Sequence, residues 1–109
     1  MSVAVHRFEV YLVNLAPTIG SEIRTTRPCL IISPDEANQY ISTVIVAPMT
    51  SCVRRYVTRV DCEFDGKVGS VALDQIRAVD KVRLLKRLGR LTVAEQKAVL
   101  STLAEMFAE

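Results

Sequence analysis

"YVTRVDCEFDG", residues 56–66, decides the fold class. Val60, Cys62 and Phe64 fall on one side of the chain, and Arg59, Asp61 and Glu63 on the other. Alternation of apolar and charged side chains is the period of a half-buried β-strand and does not make one helix face. Asp65-Gly66 directly follows, a pair that accepts positive φ and signals a tight hairpin. Downstream, "SVALDQIRAV" (Ser70–Val79) predicts one or two further strands. Upstream, "STVIVAPM" (Ser42–Met49) and "PCLIIS" (Pro28–Ser33) are continuous apolar runs of strand length, as expected of buried strands. Pro28 can open its strand because its missing N–H then costs no ladder bond. "FEVYLVNL" (Phe8–Leu15), rich in β-branched and aromatic residues, reads as another strand, ended by "APTIGS". Between them, "PDEANQY" (Pro34–Tyr40) predicts a single helical turn, with Pro34 at the first helical position after Ser33.

The C-terminal segment changes period. Thr92 and Glu95 have the spacing of a capping box, in which each side chain satisfies an orphan backbone N–H of the other. Val99, Leu103, Met106 and Phe107, with Leu100 alongside, then recur at helical spacing as one apolar stripe for core or dimer packing. The expected fold class is mainly β with a C-terminal α-helix: short antiparallel strands curling into a small barrel. With 109 residues, half of them hydrophobic, the chain supports one domain over residues 1–109.

Charge says less than its placement. A net +2 permits a polyanionic partner without demanding one. Arg54, Arg55 and Arg59 gather in one segment, and Lys81, Arg83, Lys86, Arg87 and Arg90 in another; both read first as solvated faces. Cys29, Cys52 and Cys62 are odd in number and lack C-x-x-C spacing, so neither a disulfide framework nor a zinc site follows. Cys29 and Cys62 read as small buried hydrophobes. The N-terminal ten residues are too short and too interrupted for a signal peptide, and no run approaches the ~18–20 apolar residues of a membrane span. A reduced, soluble, cytoplasmic domain is the expectation. His6, the single histidine, reads as a surface residue. There is no metal-ligand set, G-x-S-x-G, P-loop or dinucleotide fingerprint, so no cofactor is expected.

Two segments carry chemistry beyond the ordinary. "GSEIRTTRP" (residues 20–28) gathers Glu22, Arg24, Arg27 and three hydroxyl side chains beside a buried strand. Arg27 precedes Pro28, which biases it toward extended backbone, and a guanidinium fixed in that way can grip a phosphate with two donors. "APMTS" (Ala47–Ser51) ends another strand with Thr50, whose hydroxyl can donate to a phosphate oxygen. The residues alone leave a plainer reading open: Arg27 paired with Glu22, and Thr50 in a turn bond.

The segments "VYLVNLAPTIGSEIRTTRPCLIIS", "NQYISTVIVAPMTS" and "VALDQIRAVDKVRL", in that order and spacing, resemble the MazF/PemK (Kid) family of toxin–antitoxin ribonucleases. The likeness runs from about Phe8 to the C-terminal helix. The combination of G-S-E…R-P, A-P-x-T-S and D-Q-I-R-x-V-D is specific, whereas any one motif alone is weak. The family implies a compact barrel related to SH3 folds and to the gyrase-poison toxin CcdB. It also implies a homodimer and sequence-specific, metal-independent cleavage of single-stranded RNA (mRNA, rRNA or tRNA) that inhibits translation. A MazE-like antitoxin is the implied partner, laying a disordered tail across the RNA groove.

Carried over residue by residue, the resemblance makes Arg27 and Thr50 catalytic, with Glu22 as a base for the 2′-OH or as an ion-pair partner orienting Arg24 or Arg27. Ser21, Arg24, Thr26, Ser51, Arg54, Arg55, Asp74 and Gln75 form the implied RNA-binding set, although for Asp74 a structural hydrogen-bond role is the default. The stretches Ser51–Tyr56 and Asp65–Gly69 are expected to govern RNA preference. Three departures matter. Some Kid-like members use an arginine and a histidine where this chain has Ala72 and Ser21, which excludes a mechanism relying on those groups. Thr25 also replaces a lysine of the commoner motif and removes one phosphate-directed charge. A second reading, from another class, is a CcdB-like gyrase poison acting through its C-terminus; that end is "AEMFAE" and the chain has no Trp.

Overall fold

The computed structural model describes residues 4–16, 26–51 and 56–109. Its elements run β1 (Glu9–Asn14), β2 (Thr26–Ile31), α1 (Asp35–Tyr40), β3 (Thr43–Thr50), β4 (Arg59–Phe64), β5 (Lys67–Ala72), β6 (Arg77–Asp80), β7 (Leu84–Arg90) and α2 (Val93–Met106). Short 3₁₀ turns lie at Leu73–Gln75 and Lys81–Arg83. The strands pair antiparallel in the order β4-β5-β3-β2-β1-β7, with β6 also beside β3.

β3 organises this sheet. One of its edges pairs with β2, through Cys29↔Pro48, Leu30↔Ala47 and Ile31↔Val46. Its other edge is divided: Thr43–Val46 pair with β6, and Met49–Thr50 pair with β5. Pro48 falls in the gap between those two partners, where a missing N–H leaves no ladder bond unmade on that edge. Successive β3 residues bury themselves on opposite faces. Ala47 and Met49 join a cluster with Val10, Leu30, Val60, Cys62, Val71 and Val99, whereas Val44 and Val46 join Tyr11, Val13, Cys29, Ile31 and Val79. Burial on both faces is why β2 and β3 read as unbroken apolar runs, while β4, covered on one face, alternates.

The sheet curls into a half-barrel. Phe64, at the end of one edge strand, packs on Gly89 of the other edge strand: a Cβ at Gly89 would lie 3.0 Å from the Phe64 Cζ. Helix α2 packs against β4 through Val99, Leu103 and Met106. The capping box is formed, with Glu95 N–H donating to Thr92 Oγ1 at 3.2 Å and Thr92 N–H to Glu95 Oε1 at 3.1 Å. Glu95 Oε2 also accepts the Glu63 N–H at 2.9 Å, which ties the helix start to β4.

Several expectations need adjustment. β1 begins at Glu9 because Phe8 takes a left-handed φ of 72°. β2 starts two residues before Pro28, at Thr26. Pro34 occupies the N-cap rather than the first helical position, and Ser33 does not cap; its Oγ accepts the Ile45 N–H at 3.0 Å. Of the Asp65–Gly69 stretch, only Asp65 (φ 53°) and Gly66 (φ 75°) form a turn, a two-residue one of positive φ, and β5 starts at Lys67, three residues before the expected Ser70. The segment 70–79 contains two strands separated by a 3₁₀ turn. Strand β7 lies in the segment expected to be a solvated basic face: its lysine and arginines hide its pairing with β1, and charged side chains are common on sheet edges. The helical stripe divides, since Leu100 and Phe107 are exposed while the other three meet the core.

Thr92→Ala should cost about 1 kcal/mol of stability by loss of the cap. Glu95→Ala should cost more, about 2 kcal/mol, because the Glu63 N–H also loses its charged acceptor. Urea denaturation of the two variants checks the order.

Candidate active site

A cavity of about 430 Å³ opens at the end of β3, where β2, β3, β4, β5 and β7 converge. Arg27, Thr50 and Ser51 line it. The β2–β3 register explains why the first two meet. Continuing the ladder two residues beyond Cys29↔Pro48 sets Arg27 opposite Thr50, so residues 23 positions apart become cross-strand neighbours. The Arg27 guanidinium donates from Nη1 to the Met49 carbonyl at 3.4 Å, which holds it along the end of β3. On the opposite side, Ser70 of β5 pairs with Thr50. Gly69 lets β5 come this close: a Cβ there would lie 2.5 Å from the Thr50 carbonyl oxygen. A cation and a hydroxyl thus stand on adjacent strands at one cavity, an arrangement with the chemistry to receive an anion.

Cys62 also lines the cavity, but burial pushes its thiol up to about 11, with the Glu95 and Asp61 charges adding to the rise. Burial likewise raises Cys29 to about 12, against the opposing pull of Arg27 and Arg77. Neither supplies a thiolate nucleophile at neutral pH. Both are free and buried, in keeping with their reading as small hydrophobes. Among the described residues no group of three or more His, Cys, Asp or Glu side chains is placed to hold a metal ion. His6 is exposed, 3.7 Å from Asp35 and remote from the lining.

The remaining sequence candidates separate. Asp74 and Gln75 lie on the 3₁₀ turn after β5 and do not line the cavity. Asp74 is held by Arg59 through two bonds of 2.7 and 3.2 Å and accepts the Thr58 hydroxyl at 3.1 Å. Arg59 leads the causes that hold the Asp74 carboxyl below its usual range. Arg59, grouped in sequence with Arg54 and Arg55, is thereby taken up by Asp74, and its guanidinium also lies 5.4 Å from the Tyr56 ring centroid. Thr26 is exposed at the start of β2 and is not part of the lining. Ser21, Glu22, Arg24, Thr25, Arg54 and Arg55 lie outside the described residues. Sequence reasoning gave Phe64 and Leu88 no site role and reached Lys67 and Gly69 only within the Asp65–Gly69 stretch, yet all four shape the cavity. The Asp-Gly turn signal was the available clue, since it sets the hairpin that brings Phe64, Lys67 and Gly69 together.

A guanidinium and a hydroxyl line a cavity at the open end of a curled, mainly antiparallel sheet that carries a C-terminal helix. Residues 6–107 match the model of the PemK-like, MazF-like toxins of type II toxin–antitoxin systems, and the chain belongs to that family. It is 38% identical over 99 residues to Endoribonuclease MazF of Staphylococcus saprophyticus, covering 85% of this chain and 82% of that one. Endoribonuclease EndoA of Bacillus subtilis is 34% identical over 93 residues, covering 80% of each. Among solved structures, MazF from Deinococcus radiodurans superposes with a TM-score of 0.84 at 23% identity, covering 96% of this chain and 97% of that chain. A mycobacterial endoribonuclease in complex with its cognate antitoxin superposes at 0.80 with 26% identity, covering 94% and 93%.

Two outcomes check this geometry. Gly69→Ala should force the Thr50 carbonyl aside and cost about 1–3 kcal/mol, read as a lower urea midpoint. Asp74→Asn should destabilise the protein at neutral pH. A carboxylate with a depressed folded pKa contributes stability above its unfolded value and loses it as pH falls through the folded one. The difference between wild type and variant in thermal melts should therefore shrink below about pH 4.

Proposed function

We propose that this chain is a sequence-specific, metal-independent endoribonuclease toxin that cuts single-stranded RNA and so inhibits translation. The observation that carries this reading is the cross-strand placement of Arg27 and Thr50 at one cavity, in a chain of the MazF-like family. The reaction is attack of a ribose 2′-oxygen on the adjacent phosphorus. A P–O2′ bond forms, the P–O5′ bond breaks, and the products are a 2′,3′-cyclic phosphate and a 5′-OH. The 2′ proton passes to a general base, for which Glu22 is the sequence's candidate.

Arg27 and Thr50 stabilise charge on the non-bridging oxygens and on the leaving 5′-oxygen. Such a donor is commonly worth about 3–4 kcal/mol. A guanidinium is a poor acid at neutral pH, so Arg27 acts electrostatically and the 5′-oxygen takes its proton from solvent. Single-stranded substrate fits, because in-line attack needs a splayed backbone and A-form duplex hides base edges. Relatives crystallised with antitoxins support a MazE-like protein as the neutralising partner. The family supports a homodimer working in the cytoplasm; among the described residues no helix is long and apolar enough to cross a membrane. The endoribonuclease relatives weigh against the gyrase-poison alternative.

Arg27→Ala and Thr50→Ala should retain the wild-type circular dichroism spectrum yet lose at least about a hundredfold in cleavage of a long RNA in EDTA. Wild-type rates in both variants would refute the site assignment. Fragments with 5′-phosphate ends would refute the 2′-OH route.

A further inference from the structure

We propose that the far wall of the cavity, Phe64 with Lys67, is a nucleotide subsite that stacks the base and holds the phosphate of a residue next to the cut. The inference rests on the endoribonuclease reading above and extends it to two particular side chains outside the Arg27–Thr50 pair. The cavity that begins at Arg27 and Thr50 continues to Phe64, Lys67 and Leu88. Phe64 and Lys67 are direct cross-strand partners at the mouth of the β4–β5 hairpin. Directly opposed residues project from the same face of a sheet, with Cβ atoms about 5 Å apart. The two-residue turn at Asp65 and Gly66, both of positive φ, sets that pair without a flexible loop. Gly89 backs the ring, leaving Phe64 only partly buried, while Leu88 supplies apolar surface beside it.

An aromatic ring beside an ammonium is the pairing that binds single-stranded nucleic acid. The ring takes a base face of any sequence, and the charge takes the backbone. Arg27 and Lys67 are the lining cations and Asp65 the lining acid, so the described lining keeps one net positive charge. Lys67 thus places a cation in the cavity from a different strand, in a chain that has Thr25 where a loop lysine is commoner.

The probe is a randomised single-stranded 20-nucleotide pool carrying 2′-fluoro groups, which mimics RNA but cannot undergo 2′-OH attack. Its Kd would be measured against KCl concentration for wild type, Lys67→Ala, Lys67→Arg, Phe64→Leu and Phe64→Tyr, with thermal melts confirming folded protein. Lys67→Ala should flatten the slope of log Kd against log salt by about 0.7, the value for one lost phosphate contact on a single strand. Lys67→Arg should restore it. Phe64→Leu should weaken binding about tenfold while Phe64→Tyr should not, since stacking follows the ring.

A folded Lys67→Ala protein with the wild-type slope, or a folded Phe64→Leu protein with wild-type Kd, would overturn the subsite. A wild type that binds the pool with these dependences yet cuts no RNA would overturn the endoribonuclease reading and leave the subsite standing.

Discussion

The structure depends on the antiparallel ladder of β3. One eight-residue strand makes three sets of pairings, with β2 along one edge and β6 and β5 in succession along the other. That division gives the half-barrel its geometry. Where β3 passes from β6 to β5 the sheet bends, and its last residues are delivered to an open end instead of a continuous surface. Thr50 is therefore held by strand pairing while still facing a cavity. A threonine on an ordinary loop would lose most of that preorganisation, because electrostatic stabilisation requires donors whose orientation is fixed before the charge develops.

Several cations that a sequence scan counts toward a polyanion footprint have structural duties. Arg87 pairs with the buried carboxylate of Glu9, Arg59 with Asp74, and Lys81 donates to the Asn38 carbonyl. Arg7 donates to the Ile32 carbonyl. A guanidinium is well suited to this because it carries five donors in a rigid plane and is more weakly hydrated than an ammonium. A modest net charge is thus compatible with a focused anion site: what counts is which cations face the cavity, not how many the chain contains.

The strands with clear periodicity, β1 to β4, were legible because burial left its signature in the chain: continuous runs where both faces are covered, alternation where one is; β5 was legible only from Ser70 onward. The capping box was legible for a similar reason, since two side chains three residues apart satisfy each other locally. β7 was not, because it is an edge strand whose outward side chains are basic, and its pairing partner is more than seventy residues away. Arg27 and Thr50 could be singled out one by one, but their adjacency is a property of the β2–β3 register, which composition does not encode. The contributions of Phe64, Lys67 and Gly69 were hidden more deeply. Each depends on which face of a hairpin meets the barrel mouth, and a single alternating pattern cannot say what lies across that face.

The same register bears on the segment that precedes Arg27. Asn14 pairs with Thr26, so β1 and β2 bring the two ends of residues 15–25 to neighbouring positions on one sheet. The outgoing end is clamped from elsewhere in the chain. Arg77 donates to the Leu15 carbonyl at 3.0 Å, and Arg83 donates to the carbonyls of Asn14 and Ala16. These carbonyls lie beyond or at the end of β1, where the ladder with β2 stops, and guanidinium donors take the place of strand partners. Two arginines that sequence alone assigns to a solvated face or to no role thereby fix the point from which the G-S-E segment departs. Its return is fixed by the ladder that carries Arg27. Both strand ends that flank residues 17–25 are thus set by described partners: Arg77 and Arg83 hold the carbonyls of Leu15 and Ala16, and the β1–β2 ladder holds Thr26.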